Sequence, residues 1–206
     1  MAAARFRLCL LLTRELCRLE PLEVIEAAAA GGTDAVQLRE KAMDSAQLLA
    51  WGREALRLCR ALGLPLLVND RVEVALAIGA DGVHVGQDDL HPDDVRALVG
   101  PERLIGWSTH DLEQLDAAAD LGVDYAGFGP VFATSTKGYA EGLGPEHLAA
   151  AIAIARVPVL AIGGIVAGNA WMIPEPAGLA VSSALCAARD PQAVAAALVA
   201  RRTPAP

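Results

Sequence analysis

Residues 83–90 read VHVGQDDL. Val83 and Val85 flank one polar residue, His84, as in a short buried strand. The chain then turns polar, through Gly86 and Gln87 to two consecutive carboxylates, Asp88 and Asp89. Pro92 opens a helical pattern that runs to Val99, and proline suits a first helical turn. Apolar strand, polar exit and helix make one complete unit. His84 alternates with core valines and is expected to be a packed histidine. The carboxylates pose the question of why an apolar strand delivers acids at its end.

The same unit recurs on both sides. FRLCLLL is followed by the helical run PLEVIEAAAA, which Gly31-Gly32 stops. DAVQLR precedes an amphipathic helix over residues 44–62, and LPLLVN precedes a short helix over 72–78. RLIGWS leads to a helix capped by Asp111 and running to Leu121. DYAGFG leads through a Gly-rich loop to a helix over 145–155. VPVLAIGG is followed by a short, weakly patterned segment around Trp171. GLAVSSAL precedes the last helix, over 191–201. Eight strand–helix pairs in 206 residues predict an α/β fold, a (β/α)8 TIM barrel forming one domain over residues 1–206. A doubly wound open sheet is the competing architecture.

Composition narrows the function classes. The formal net charge is −8 and no basic cluster could track a phosphate backbone, so nucleic-acid binding is set aside. No apolar run approaches the ~18 residues needed to span a bilayer. The N-terminal apolar run, Leu8 to Leu12, is five residues long. A secretion-signal core needs roughly 7–15, so the run is read as the first strand. Cys9, Cys17, Cys59 and Cys186 show no CxxC or Cys/His spacing and are expected to be reduced thiols of a cytoplasmic protein.

In a barrel of this kind, chemistry sits where strands exit into the following helices. Seven of the eight exits carry polar or glycine residues: QLREK, VND, VGQDD, GWSTH, GPVFATSTKG, IGG and VSS. In QLREK, alternation puts Gln37, Arg39 and Lys41 on one face, an arrangement suited to a multi-oxygen anion. A solvated strand end with an internal ion pair is the plainer alternative. Asp70 and Asp89 end adjacent strands. Two like charges about 4 Å apart repel by about 4 kcal/mol at an effective dielectric near 20, and a divalent cation removes that cost. Oxygen ligands without paired His or Cys favour Mg²⁺. Capping of the helix at Pro92 by both Asp88 and Asp89 is the alternative. Thr134, Ser135, Thr136 and Lys137 offer hydroxyls, backbone N–H groups and a cation suited to phosphate. Gly163-Gly164 and Ser182-Ser183, at the last two exits, match the usual phosphate cup of such barrels.

QLREK, LLVNDRVEVAL, ADGVHVGQDDL, IGWSTH, the GPVF-T-TK run and the late IGGI resemble the thiamine-phosphate synthase family, in order, from Gln37 to Ser183. The resemblance implies the barrel fold, and transfer of a hydroxymethylpyrimidine group from its diphosphate to a thiazole phosphate with Mg²⁺ as cofactor. It implies that Gln37, Arg39, Lys41, Asn69, Ser108 and Lys137 hold the pyrimidine diphosphate, with Arg39, Lys41, Ser108 and Lys137 serving catalysis. It implies that Asp70 and Asp89 ligate Mg²⁺. Thr134 and Thr136, with the backbones of Ser135, Gly164, Ser182 and Ser183, would hold the thiazole phosphate. The implied partners are these two small molecules, and the sequence leaves self-association into a homo-oligomer open. Three features depart from the family pattern. Ala133 stands where proline is common. Trp107 sits beside Ser108, close enough in sequence to crowd the pyrimidine. NAWMIPEPAGLAVSS, residues 169–183, is abbreviated, and Pro174 and Pro176 would interrupt a helix. A thiazole tautomerase sharing this barrel is one rival reading; a non-catalytic barrel that binds a phosphorylated ligand is another.

Overall fold

The computed structural model describes residues 6–134 and 140–201. They form eight parallel strands closed into one barrel in chain order. The strands are β1 (Leu8–Leu12), β2 (Ala35–Leu38), β3 (Leu66–Asn69), β4 (Gly82–Val85), β5 (Leu104–Thr109), β6 (Tyr125–Phe128), β7 (Val159–Ile162) and β8 (Gly178–Val181). The helices are α1 (Pro21–Ala30), α2 (Ser45–Leu62), α3 (Val72–Ile78), α4 (Pro92–Val99), α5 (Leu112–Ala118), α6 (Pro145–Ile154), α7 (Ser183–Cys186) and α8 (Pro191–Ala200). The expected (β/α)8 architecture is therefore present, and the open sheet is excluded by the β1–β8 pairing. Among the described residues no helix is long and apolar enough to cross a membrane.

Local chemistry sets the helix ends. Pro21, Pro92, Pro145 and Pro191 each occupy a first helical turn, where the missing N–H has no intrahelical partner to lose. Asp44 caps α2 by accepting from Gln47 N at 2.8 Å, while the Gln47 side chain accepts from Asp44 N. This reciprocal capping box satisfies two otherwise orphaned donors. Asp111 caps α5 through Gln114 N, as expected. The helix stops at Ala118 rather than Leu121: Asp120 N and Gly122 N bond three residues back instead of four, tightening the chain into turns.

Packing divides into two cores. The larger lies between barrel and helices and takes one face of each strand, including Leu10, Val36, Val68, Val83, Val85 and Phe128. The smaller fills the barrel with Cys9, Leu11, Ala35, Leu67, Tyr125, Leu160 and Ala180. Tyr125 is fully buried there, with Phe6 edge-on at 5.6 Å between ring centroids. Gly106 makes room for it: a Cβ at that position would lie 2.2 Å from Tyr125 Cζ and 2.4 Å from His84 Nδ1.

The abbreviated segment does not open the barrel. A 3₁₀ turn, Ala170–Met172, replaces a helix and still buries Ala170 and Ile173. Beyond it, β8 keeps three register positions with β7 and three with β1. Arg201 donates to Ala177 O at 2.6 Å and ties the end of α8 to this segment.

Candidate active site

The C-terminal ends of the strands open onto one continuous mouth. Its inner floor is lined by Gln37, Arg39, Asn69, His84, Ser108 and Tyr125. A wider chamber shares Arg39 and Ser108 and extends over His110, Thr134, Gly164, Ser182 and Ser183. The register explains the floor. Gln37 lies beside Leu67, Asn69 beside His84, and Ser108 beside Gly127, so all of these occupy strand positions that face the barrel interior. Gln37 is only 4% exposed.

One side of the mouth is acidic and basic together. Asp70 follows β3 with φ 62°, a left-handed conformation that a short polar side chain tolerates better than most. Its N–H donates to His84 O at 2.8 Å, and its carbonyl accepts from Val72 N at 3.1 Å. A non-glycine residue held there costs about 1–3 kcal/mol and persists when its surroundings impose it. The Lys41 ammonium lies 3.4 Å from Asp70 Oδ2. Burial pushes the Asp70 carboxyl above its ordinary pKa, a hydrogen bond with Asp89 and that group's charge push it further, and Lys41 opposes them. Asp89 Oδ2 also accepts from Gly86 N at 2.7 Å, which fixes the turn after β4. Asp88 and Asp89 do not cap α4; His91 accepts from Asp93 N there. Gln87 donates to Ser108 O at 2.6 Å, tying the β4 exit to β5. VHVGQDDL thus brings Asp89 against Asp70 across neighbouring strands.

These two acids suit a hard divalent cation. Among the described residues no group of three or more His, Cys, Asp or Glu converges. Mg²⁺ needs no such cage: it commonly takes one or two carboxylates and completes its shell with water and phosphate oxygens. Two neighbouring acids, one of them half-buried and held at a left-handed backbone position, are a donor set that fits it.

The other side is made of backbone and hydroxyls. Gly164 has φ 63°, and a Cβ there would lie 2.4 Å from Ala133 O, so only glycine lets the two loops meet. The buried Ser182 hydroxyl has no hydrogen-bonded oxygen or nitrogen partner among the described residues, and the Cys186 thiol lies beside it. Ser135, Thr136 and Lys137 lie outside the described residues.

The model of the family described as thiamine monophosphate synthase matches residues 8–185. A thiamine-phosphate synthase of Laribacter hongkongensis is 49% identical over 176 residues, covering 84% of this chain and 83% of the relative. One from Azorhizobium caulinodans is 47% identical over 173 residues, covering 82% and 81%. The solved thiamine phosphate pyrophosphorylase of Pyrococcus furiosus superposes with a TM-score of 0.86 at 32% identity, over 96% of this chain and 95% of that one. The chain belongs to the thiamine monophosphate synthase family. Its activity is that of a thiamine-phosphate synthase, a transferase of thiamine biosynthesis.

Within this family frame, Trp107 corrects an expectation. It is 7% exposed and packs in the outer core, on the strand face opposite Ser108, so it does not crowd the mouth. Two residues of the floor escaped the sequence reading as site residues. His84 is buried as expected, but its ring nitrogens reach Tyr125 Oη at 3.0 Å and Ser108 Oγ at 2.9 Å. Tyr125 looked like an ordinary strand start. The available signal was the alternation itself, which puts His84 on the face opposite Val83 and Val85. His110 joins the chamber wall, with Nδ1 2.6 Å from Gly129 O.

Proposed function

We propose that this synthase joins a hydroxymethylpyrimidine diphosphate to a thiazole phosphate, releasing pyrophosphate, with Asp70 and Asp89 holding Mg²⁺. The observation that carries the reading is the Asp70–Asp89 contact beside Lys41, at the edge of a mouth floored by Gln37, Arg39, Asn69 and Ser108. A thiazole tautomerase has no use for this cation-binding half.

Pyrophosphate leaves readily only when its growing negative charge is neutralised. A bound magnesium ion would supply part of that neutralisation as a Lewis acid. Arg39 and Lys41 supply more from the strand-two exit, and Lys137 from the loop after strand six. Gln37, Asn69 and Ser108 hold the pyrimidine so that its methylene carbon faces the second chamber. Thr134 and Thr136, with the backbones of Ser135, Gly164, Ser182 and Ser183, hold the thiazole phosphate. The C–O bond breaks with its electron pair leaving on the diphosphate, and the ring stabilises the methylene cation. The thiazole nitrogen lone pair then forms the new C–N bond. No proton need be abstracted, so the chain's contribution is charge neutralisation and placement of two rings at attack distance.

The test is direct: both substrates are incubated with the protein and Mg²⁺, and thiamine phosphate is measured. Formation that stops with chelator and returns with Mg²⁺ supports the reading. Isomerisation of a thiazole phosphate that ignores Mg²⁺ and pyrophosphate would replace it with the tautomerase reading.

A further inference from the structure

The barrel interior below the mouth holds a chain of polar groups where an apolar filling would suffice. Tyr125 is fully buried and His84 is 7% exposed. The His84 ring spans from Tyr125 Oη to Ser108 Oγ, at 3.0 and 2.9 Å. Two glycines accommodate it: a Cβ at Gly106 would lie 2.4 Å from His84 Nδ1, and one at Gly127 would lie 3.3 Å from His84 Cε1. The Gln37 side chain also lies close enough to the same phenol to act on it. Gln37 and Ser108 are the two ends of this chain, and both line the mouth.

We infer that Tyr125 and His84 are positioning residues that fix the direction of the hydrogen bonds, so that Ser108 presents its hydroxyl proton to the substrate's pyrimidine ring. The inference rests on the assignment of this mouth to the pyrimidine diphosphate. Neutral imidazole carries one N–H. In this arrangement the Gln37 amide N–H is directed to the phenol oxygen, and Tyr125 gives its own proton to His84 Nδ1. The N–H of His84 is then on Nε2 and donates to Ser108 Oγ, whose proton is turned toward the ligand. Gln37, having given an N–H inward, keeps its carbonyl oxygen as an acceptor. The floor therefore offers a donor and an acceptor in fixed order. A 4-aminopyrimidine meets it with an acceptor ring nitrogen beside a donor amino group; a 4-oxopyrimidine, with ring N–H beside a carbonyl, presents the reverse.

Steady-state kinetics of the wild type, Tyr125→Phe, His84→Gln and His84→Ala test this, with the 4-amino substrate and its 4-oxo analogue. Melting temperature and near-ultraviolet circular dichroism are recorded for each protein. Tyr125→Phe keeps the ring and removes the proton that sets the tautomer. It should raise KM for the pyrimidine diphosphate about tenfold, leave KM for thiazole phosphate unchanged, and keep kcat within about threefold. Selectivity for amino over oxo should fall from on the order of 10³ to below about 10 in this variant. His84→Gln, whose amide N–H can replace Nε2–H, should retain more kcat/KM than His84→Ala, which should lose about a hundredfold. Wild-type selectivity and KM in a folded Tyr125→Phe would overturn the inference, as would a parallel rise in both KM values. Tyr125→Phe decides the matter if His84→Ala does not fold. Should calorimetry find no binding of the pyrimidine diphosphate to the wild type, the site assignment falls together with the inference. Tight wild-type binding with unaltered variants sinks the inference alone.

Discussion

At the scale of the residue, Asp70 is where stability and function pull apart. Burial and Asp89 raise its carboxyl pKa in the folded chain. Below the unfolded value, about 3.9, both states hold the proton and the group costs nothing. As pH rises the unfolded chain ionises first, and the folded chain loses relative stability until its own raised pKa is passed. Asp70→Asn removes that penalty, and asparagine accepts the left-handed backbone at φ 62°. The metal-free variant should therefore melt about 2 °C above the wild type at pH 7–8, with the gain vanishing near pH 4. The same substitution should lower Mg²⁺-dependent turnover by about a hundredfold or more and abolish the rise in melting temperature that Mg²⁺ gives the wild type. An Asp70→Asn enzyme with full metal-dependent turnover would remove Asp70 from the metal site. For Lys137, substitution by alanine should depress kcat far more than thiazole-phosphate affinity, because its assigned task is the leaving diphosphate. The reverse pattern, read from kcat and calorimetric affinity, would move it to the other chamber.

At the scale of the element, the strands position the chemistry and the helices hold the strands. α2 and its capping box sit directly behind the QLREK exit. Replacing Asp44 with alanine leaves the Gln47 N–H without its side-chain acceptor and should cost about 1 kcal/mol. That corresponds to a melting temperature lower by about 2–4 °C, with kcat unchanged. Within β5 the outcome differs. Gly106→Ala drives a methyl group into Tyr125 and His84, at 2.2 and 2.4 Å. Overpacking of this kind costs about 1–3 kcal/mol. Because the displaced side chains support Ser108, this variant should lose affinity for the pyrimidine diphosphate as well as stability, which thermal melts and calorimetry would separate.

At the scale of the whole molecule, the closed sheet places Cys9 inside the barrel and Cys59 outside it, on the buried face of α2. Burial raises both thiol pKa values, that of Cys59 to about 12. If the chain is one cooperative domain, both should be inert to a thiol reagent in the native state. They should then become reactive at the same urea concentration, coincident with loss of circular dichroism. Reactivity of one well before the other would divide the barrel into separate units.

The sequence by itself determined the order of strands and helices, the barrel class and the motifs at the exits, because each is a local pattern of apolar runs, caps and turn residues. It also named Asp70, Asp89 and Gln37, since polar residues at the ends of apolar strands stand out against their surroundings, and Ser108 through the family resemblance. Only the tertiary structure decided which strand face looks inward. In a parallel barrel wrapped by helices both faces are buried, so alternation offers two equivalent sides and no solvent to mark one of them. Trp107 and His84 were misjudged in opposite senses for that reason: the indole belongs to the outer core, and the imidazole to the floor of the site. Asp70 and Asp89 meet because β3 and β4 pair side by side, whereas Gln37 on β2 approaches Tyr125 on β6 only because the sheet closes into a barrel.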